Sequence, residues 1–176
     1  MSTVERVIQE AIERKIFPSA VCAVLLGGRV KYQGAFGNPN PERDDSATSS
    51  TVYDLASLTK PLSTATLALL ALEEGTLTLE TPIVRFFPDA KHLQGVLVKH
   101  LLTHTSGLPA WRALYKNADT RDAVLQAALN IPRTRPPAHG YTYSDLGYIL
   151  MGAILEQVYE GSLAEIPKER REPCQP

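Results

Sequence analysis

Residues 57–74 read Ser57-Leu-Thr-Lys-Pro-Leu-Ser-Thr-Ala-Thr-Leu-Ala-Leu-Leu-Ala-Leu-Glu-Glu74 and are apolar or small along nearly their whole length. Gly75 follows directly, and glycine is the residue that most often ends a helix. Pro61 fits only the first turn, where its missing N–H has no intrahelical partner. The sequence therefore predicts a helix that begins near Ser57, ends near Glu74 and is buried on most of its faces.

Ser57 and Lys60 stand three residues apart, which places both side chains on one face of this helix. A serine at a helix N-terminus lies at the positive end of the macrodipole, which favours an alkoxide and a neighbouring oxyanion. A lysine in an apolar environment beside it acts as a base or as an electrostatic activator. The pair predicts a nucleophilic serine with its activating partner; the alternative is a helix cap at Ser57 and a solvated Lys60.

Tyr143-Ser144-Asp145 precedes a second apolar segment, predicted as a helix over Leu146–Tyr159. A phenol beside a lysine cation loses its proton more easily, so Tyr143 is a candidate relay of a proton to and from a serine. Asp145 is a candidate partner that holds the lysine in place. The alternative is that Ser144 or Asp145 caps the helix and Tyr143 packs.

His100 and His104 have the i, i+4 spacing of a zinc pair, but the glutamate that follows the first histidine in the metalloprotease pattern is missing. His92 and His139 come without a cysteine or carboxylate cluster, so we expect a structural turn, no metal and no cofactor. Trp111, the only tryptophan, either lines the mouth of a substrate site or packs.

The remaining segments predict two strands, two further helices and the end of a short helix. Ser2 and Glu5 have capping-box spacing. Gly27-Gly28 is a two-residue hairpin signal, and His100–His104 looks like the end of a short helix. The predicted elements are a helix over 3–15, strands over Ser19–Leu26 and Arg29–Phe36, a loop over 37–51, a helix over 119–129 and a proline-rich loop over Ile131–Gly140. Two strands are few for this number of helices, because an isolated two-stranded hairpin is only marginally stable as a surface on which helices can pack.

Composition sets the class of protein. The 176 residues suffice for one domain or a piece of a larger one. The net charge of −1 does not indicate the basic surface with which proteins bind nucleic acid or an anionic membrane. The longest apolar run, residues 67–72, is too short to span a bilayer. Two cysteines without a disulfide framework, and an N-terminus without signal-peptide features, lead us to expect a soluble, cytoplasmic protein.

Three segments in order, Ser57-Leu-Thr-Lys60, Leu101-Leu-Thr-His-Thr-Ser-Gly-Leu-Pro109 and Tyr143-Ser-Asp-Leu-Gly-Tyr148, strongly resemble the serine β-lactamase-related family over about residues 5–163. This is the branch of class C β-lactamases, DD-peptidases and related esterases. The resemblance implies an α+β fold, the N-terminal part of a β-lactamase/transpeptidase-like fold, with a helical subdomain and an incomplete antiparallel sheet.

The same resemblance implies the roles of the site residues. Ser57 would be the acylated nucleophile, Lys60 its activating partner and Tyr143 the proton relay. Asp145 stands where the family more often carries asparagine, on the substrate side. The substrate would be a small ester or amide. Because the N-terminus lacks signal-peptide features, we expect an esterase-like role inside the cell in preference to a β-lactamase.

One family motif is missing. No Lys-Thr-Gly, Lys-Ser-Gly or His-x-Gly triplet occurs in the chain, although the resemblance implies such a third box on a sheet strand. We therefore expect residues 1–163 to be an incomplete β-lactamase-related domain and residues 164–176 an irregular polar tail. Two hypotheses stay open: a serine hydrolase or acyltransferase, or a catalytically inactive fragment or binding-only protein with exposed apolar surface on its 62–72 helix.

Overall fold

The computed structural model describes residues 2–40, 42–43, 45–116 and 118–166. The chain divides into two compact units, Met1–Asp54 and Leu55–Pro176. The first contains a helix and a two-stranded antiparallel sheet, and the second is helical. The α+β class is confirmed. Most of the predicted 164–176 tail lies outside the described residues.

The first unit begins with helix α1, Thr3–Glu13. The predicted capping box is present: the Glu5 N–H donates to Ser2 Oγ at 3.2 Å, and the Ser2 N–H donates to Glu5 Oε2 at 2.6 Å. The helix ends two residues earlier than predicted, and Lys15 then adopts a positive φ of 57°. A left-handed residue cannot continue a right-handed helix.

Strands β1, Ser19–Leu26, and β2, Arg29–Gly37, form the predicted hairpin. Gly27 and Gly28 have φ of 58° and 72°, as a two-residue turn of the primed type requires. The register shifts between Val24 and Leu25, where the sheet has a bulge. The described residues of the predicted 37–51 loop beyond β2 contain turns and no helix or strand.

The second unit opens with the predicted helix, whose bounds are close to those expected. It starts as a 3₁₀ turn at Ala56–Leu58, continues as a π-helix over Lys60–Ala65 and becomes helix α2 over Thr66–Glu73. Pro61 has no N–H to contribute to a helical ladder. The Thr66 hydroxyl donates to the Pro61 carbonyl at 2.9 Å, five residues back.

The expectation that this helix is buried on most faces is wrong. Leu67 and Ala68 are buried, but Leu58, Leu62 and Leu69 are each more than half exposed. Burial depends on which face meets a neighbouring helix, and the leucines here occupy several faces. The apolar content of the segment therefore did not reveal which of its sides lie in the core.

The described part of this unit has three more α-helices, α3, Val98–Leu102; α4, Arg121–Leu129; and α5, Asp145–Tyr159, and 3₁₀ turns at Ile83–Arg85, Lys91–Leu93 and Leu114–Lys116. The predicted helices over 119–129 and 146–159 are confirmed within two residues. Thr120 caps α4 by accepting the Ala123 N–H at 3.2 Å. Helix α5 ends at Glu160, which is left-handed.

The hydrophobic core lies around α5, which packs against α2, α3 and α4. Leu150, Met151 and Ile154 are fully buried. Two tyrosine hydroxyls tie α5 to other backbone segments: Tyr148 donates to the Leu102 carbonyl and Tyr159 to the Leu67 carbonyl, each at 3.2 Å. Within the described residues, no helix combines the length and apolarity needed to cross a membrane.

Candidate active site

Ser57 lies in the 3₁₀ turn at the start of the 56–73 helix. The residue before it, Ala56, has φ of 45°, a conformation that costs energy for a residue with a side chain and that is typical of functional turns. The Lys60 ammonium donates a hydrogen bond to Ser57 Oγ, with an Nζ to Oγ distance of 3.3 Å. The predicted pairing of these two side chains on one helix face is therefore present.

Lys60 is also bound to the start of helix α5. Its Nζ lies 2.7 Å from Asp145 Oδ1, and the lysine side chain is 15% exposed. Asp145 is anchored by its own backbone, because its N–H donates to the Ala110 carbonyl at 2.9 Å. A carboxylate in the first turn of a helix is further stabilised by the macrodipole. The Asp145 contact with the lysine, expected from the sequence, is present.

Tyr143 completes the cluster. Its hydroxyl hydrogen-bonds both Ser57 and Lys60, and its ring centroid lies 5.0 Å from Lys60 Nζ. The hydrogen bond with Ser57, followed by the one with Lys60, lowers the pKa of the Tyr143 phenol below its ordinary value of 10.0. Phenol, serine hydroxyl and ammonium therefore form a connected hydrogen-bonding set.

The charge of Lys60 follows from its surroundings. Partial burial lowers the pKa of Lys60, but the hydrogen bonds with Asp145 and Tyr143 outweigh it, and the net shift is upward from the ordinary 10.5. Lys60 is therefore a cation at neutral pH. A cation beside a phenol stabilises the phenolate and so lowers the pKa of the phenol, and the pKa of Tyr143 is indeed lowered.

Ser144 caps helix α5, which is one of the alternatives that the sequence left open for this segment. Its hydroxyl accepts the Gly147 N–H at 3.3 Å and donates to the Pro109 carbonyl at 2.7 Å. It is 1% exposed. Capping by Ser144 and a site role for its neighbours are thus compatible, because Tyr143 and Asp145 flank a firmly bound residue.

The two histidines with zinc-pair spacing each accept a backbone N–H at Nδ1. His100 accepts from Leu97 at 3.1 Å, and His104 accepts from Ser144 at 3.0 Å. Burial lowers the pKa of both imidazoles below 6.5, and a nearby lysine adds to the effect in each case. Neither Nδ1 lone pair is free for a metal ion. The described residues contain no group of three or more metal-ligating side chains.

An open cavity of about 630 Å³ adjoins Ser57 and Lys60. Its other walls come mainly from α4 and α5 and include Val124, Leu125, Ile149, Ala153 and Leu163. Trp111 is 54% exposed and is not among the described residues that line this cavity. Its role at a substrate mouth stays a prediction.

Sequence reasoning missed two features of this region. Tyr148 also faces Lys60, with its ring centroid 5.9 Å from Nζ, and its position one turn after Ser144 was the available signal. Glu156 also lines the cavity, pairs with Arg121 and accepts the Leu163 N–H at 2.8 Å. Nothing in the local sequence pattern connects Arg121 with Glu156.

Comparison with known proteins relates the sequence of this chain to a known family. Residues 4–170 match the model of the Beta-lactamase family. Penicillin-binding protein 4* of Bacillus subtilis (strain 168) is 31% identical over 152 residues, which cover 81% of this chain and 33% of that protein. Esterase EstB of Burkholderia gladioli is 29% identical, over 91% of this chain and 46% of the esterase.

A solved structure shows the same fold. The structure described as "EstCE1, a hydrolase with promiscuous acyltransferase activity" superposes with a TM-score of 0.78 at 25% identity, over 94% of this chain and 49% of the other. The chain thus spans less than half the length of these relatives. The family match, extending over nearly all of the sequence, confirms the resemblance seen in its motifs: the chain belongs to the beta-lactamase family.

Proposed function

We propose that this protein is a serine hydrolase or acyltransferase that forms an acyl-enzyme on Ser57. The observation that carries the proposal is the hydrogen-bonded set of three side chains. Lys60 Nζ lies 3.3 Å from Ser57 Oγ, and the Tyr143 hydroxyl bonds both residues. A nucleophile in contact with a base, itself oriented by a third group, is the arrangement that activates serine.

The reaction begins when Tyr143, as its phenolate, removes the hydroxyl proton of Ser57 and becomes a neutral phenol while Oγ attacks the acyl carbon of the substrate. The tetrahedral intermediate then expels its alcohol or amine, which takes the proton back from Tyr143. Water then attacks the acyl-enzyme, and Tyr143 takes its proton and passes it to the departing Ser57 Oγ, which gives hydrolysis. A second alcohol that attacks in the same way gives acyl transfer. Lys60 remains a cation throughout and acts by lowering the pKa of Tyr143.

Asp145 holds Lys60 in this mechanism, and its position beside the cavity makes it a candidate substrate contact. The apolar walls contributed by Val124, Leu125 and Ile149 suit a small ester with an apolar acyl or alcohol group. The names of the relatives, an esterase and a hydrolase with acyltransferase activity, support the same substrate class. We expect no cofactor. A cytoplasmic location stays a prediction from the sequence.

The test is intact mass spectrometry after treatment of the whole chain with a fluorophosphonate, which reacts with activated serines. We expect one adduct on the parent and none on Ser57→Ala. Ser63→Ala is the matched control, because Ser63 lies in the same helix, and it should react like the parent. An unreactive parent that is folded by circular dichroism, or a reactive Ser57→Ala, would refute the proposal.

A second candidate function is binding without catalysis. The observation that favours it is the apolar surface that Leu58, Leu62 and Leu69 expose. Such surface marks contact sites for other proteins. A folded parent that resists the fluorophosphonate and that loses self-association on Leu62→Ser and Leu69→Ser substitution would support this candidate instead.

A further inference from the structure

The imidazole of His104 packs among the tyrosine rings of the candidate site. Its centroid lies 4.6 Å from that of Tyr143 and 5.0 Å from that of Tyr148, the second pair being stacked with an interplanar angle of 28°. Tyr141 meets the same imidazole edge-on at 5.9 Å. Aromatic pairs at these separations attract beyond their burial, so the imidazole restrains the orientation of the Tyr143 ring.

His104 also holds the backbone on both sides of Tyr143. Its Nδ1 accepts the Ser144 N–H at 3.0 Å, and its carbonyl accepts the Thr142 N–H at 3.0 Å. The two donors are the chain neighbours of Tyr143, and Ser144 is 40 residues from His104 in sequence. A single residue therefore fixes both the position and the tilt of the phenol.

The Ser144 bond requires a neutral imidazole, because a protonated ring has no lone pair at Nδ1. Burial lowers the pKa of His104 below 6.5, and the positive charge of Lys60 lowers it further, against an opposing effect of Asp145. The ring is neutral at pH 7. His104 also has φ of 57°, and histidine, like asparagine, tolerates that conformation better than most residues.

We propose that His104 is a positioning residue that holds the Tyr143 hydroxyl within hydrogen-bonding reach of Ser57. The proposal rests on the proposed function, since positioning Tyr143 matters to catalysis only if Tyr143 transfers the proton. Its effect is indirect, because the imidazole contacts the tyrosine and its neighbours.

The first experiment compares His104→Asn with His100→Asn by their rates of fluorophosphonate labelling. Asparagine keeps a hydrogen-bond acceptor and tolerates positive φ, so His104→Asn removes mainly the aromatic packing. We expect labelling to slow about tenfold, a typical cost of imperfect alignment. His100 accepts a backbone N–H in the same way but away from Tyr143, so His100→Asn should label within about twofold of the parent.

The second experiment separates positioning from a general structural role. If His104 acts through Tyr143, its substitution should have no further effect once the phenol is absent. His104→Asn/Tyr143→Phe should therefore label at the rate of Tyr143→Phe alone. Circular dichroism establishes that each variant is folded, and His104→Gln, which also keeps an acceptor, replaces any His104→Asn protein that is not.

Two results would overturn the proposal: a His104 variant that labels at the parent rate, or a double variant slower than Tyr143→Phe by the full His104 factor. The proposed function fails in a different way. Its failure is labelling that persists in Ser57→Ala, or no labelling of the folded parent. The outcomes of the two tests are thus distinguishable.

Discussion

The two compact units of the chain each contain a serine hydrogen-bonded to a tyrosine, and the surroundings of the two pairs differ. In the hairpin unit, residues 2–54, Ser19 Oγ lies 2.8 Å from the Tyr53 hydroxyl. In the helical unit, residues 55–166, Tyr143 bonds Ser57, and Lys60 Nζ lies 3.3 Å from the same serine. The difference is the lysine, which bonds the second serine and, after the larger effect of the Ser57 hydrogen bond, further lowers the pKa of the Tyr143 phenol.

Burial separates the two units as clearly. Among residues 2–54, Ser19 is the only described residue that is buried. The helical unit has a core in which Leu150, Met151 and Ile154 are fully buried. That core holds α5; its first residue, Asp145, and Tyr143 just before the helix supply half of the candidate site. Rigid packing thus supports the Ser57 cluster within its own unit.

The largest expected difference between the units lies in the tyrosines. Tyr143→Phe removes the hydroxyl that bonds Ser57, and we expect fluorophosphonate labelling to slow at least about a hundredfold, as for loss of a general base. Tyr53→Phe removes the equivalent hydroxyl beside Ser19 and should change labelling by less than about twofold. Pseudo-first-order labelling rates measure both. Equal rates for the two variants would remove the distinction between the pairs.

Core substitutions test the contrast in burial. Leu150→Ala creates a cavity beside fully buried neighbours and should cost about 2–5 kcal/mol of unfolding free energy. Val24→Ala, at a position that is 39% exposed in β1, should cost less than about 1 kcal/mol. Urea unfolding followed by Trp111 fluorescence, which reports on the helical unit, and by circular dichroism measures both. A Leu150→Ala cost below that of Val24→Ala would contradict a core centred on α5.

Asp145→Asn tests how the charge of Asp145 affects the Lys60 and Tyr143 side chains. The Asp145 charge raises the pKa of Lys60 and also that of Tyr143. Its removal should lower both, so the rise of labelling rate with pH should move to lower pH. Because Lys60 remains a cation, the rate at pH 7 should change by less than about tenfold. A shift of the profile to higher pH would contradict this sign.

Breaking an ion pair is expected to give the smallest difference in stability between the two units. Glu156 is 15% exposed, pairs with Arg121 and accepts the Leu163 N–H, so Glu156→Gln should cost about 1 kcal/mol. Glu10 pairs with Arg6 on the exposed face of α1 at 2.8 Å, and Glu10→Gln should cost less than about 0.5 kcal/mol. Urea midpoints by circular dichroism measure both costs, and the reverse ranking would count against the burial difference.

Much of the fold follows from local signals in the sequence. The Ser2–Glu5 capping box, the Gly27-Gly28 turn and the tolerance of Pro61 in a first turn each depend on residues a few positions apart, and each is present in the structure. The local pattern could not predict which leucines of the 56–73 helix are exposed. Their burial depends on where α5 packs, and no local pattern contains that information.

The candidate site, like the fold, could be predicted from the sequence only in part. The Ser57–Lys60 contact follows from a spacing of three on one helix. Tyr143 comes from a segment more than 80 positions later, and its residue types alone favoured packing; the order of the three family motifs is what connected it with Ser57. The bond from Ser144 to His104 spans 40 residues and has no signature in the sequence, so only the fold reveals it.

In the proposed mechanism, the Lys60 cation activates Ser57 by lowering the pKa of Tyr143. The most direct test is the pH dependence of fluorophosphonate labelling in the parent, Lys60→Arg and Lys60→Met. We predict a rise centred below pH 10 in the parent, a similar rise in Lys60→Arg, which keeps the charge, and a rise moved to higher pH in folded Lys60→Met. A Lys60→Met profile that coincides with that of the parent would contradict the claim.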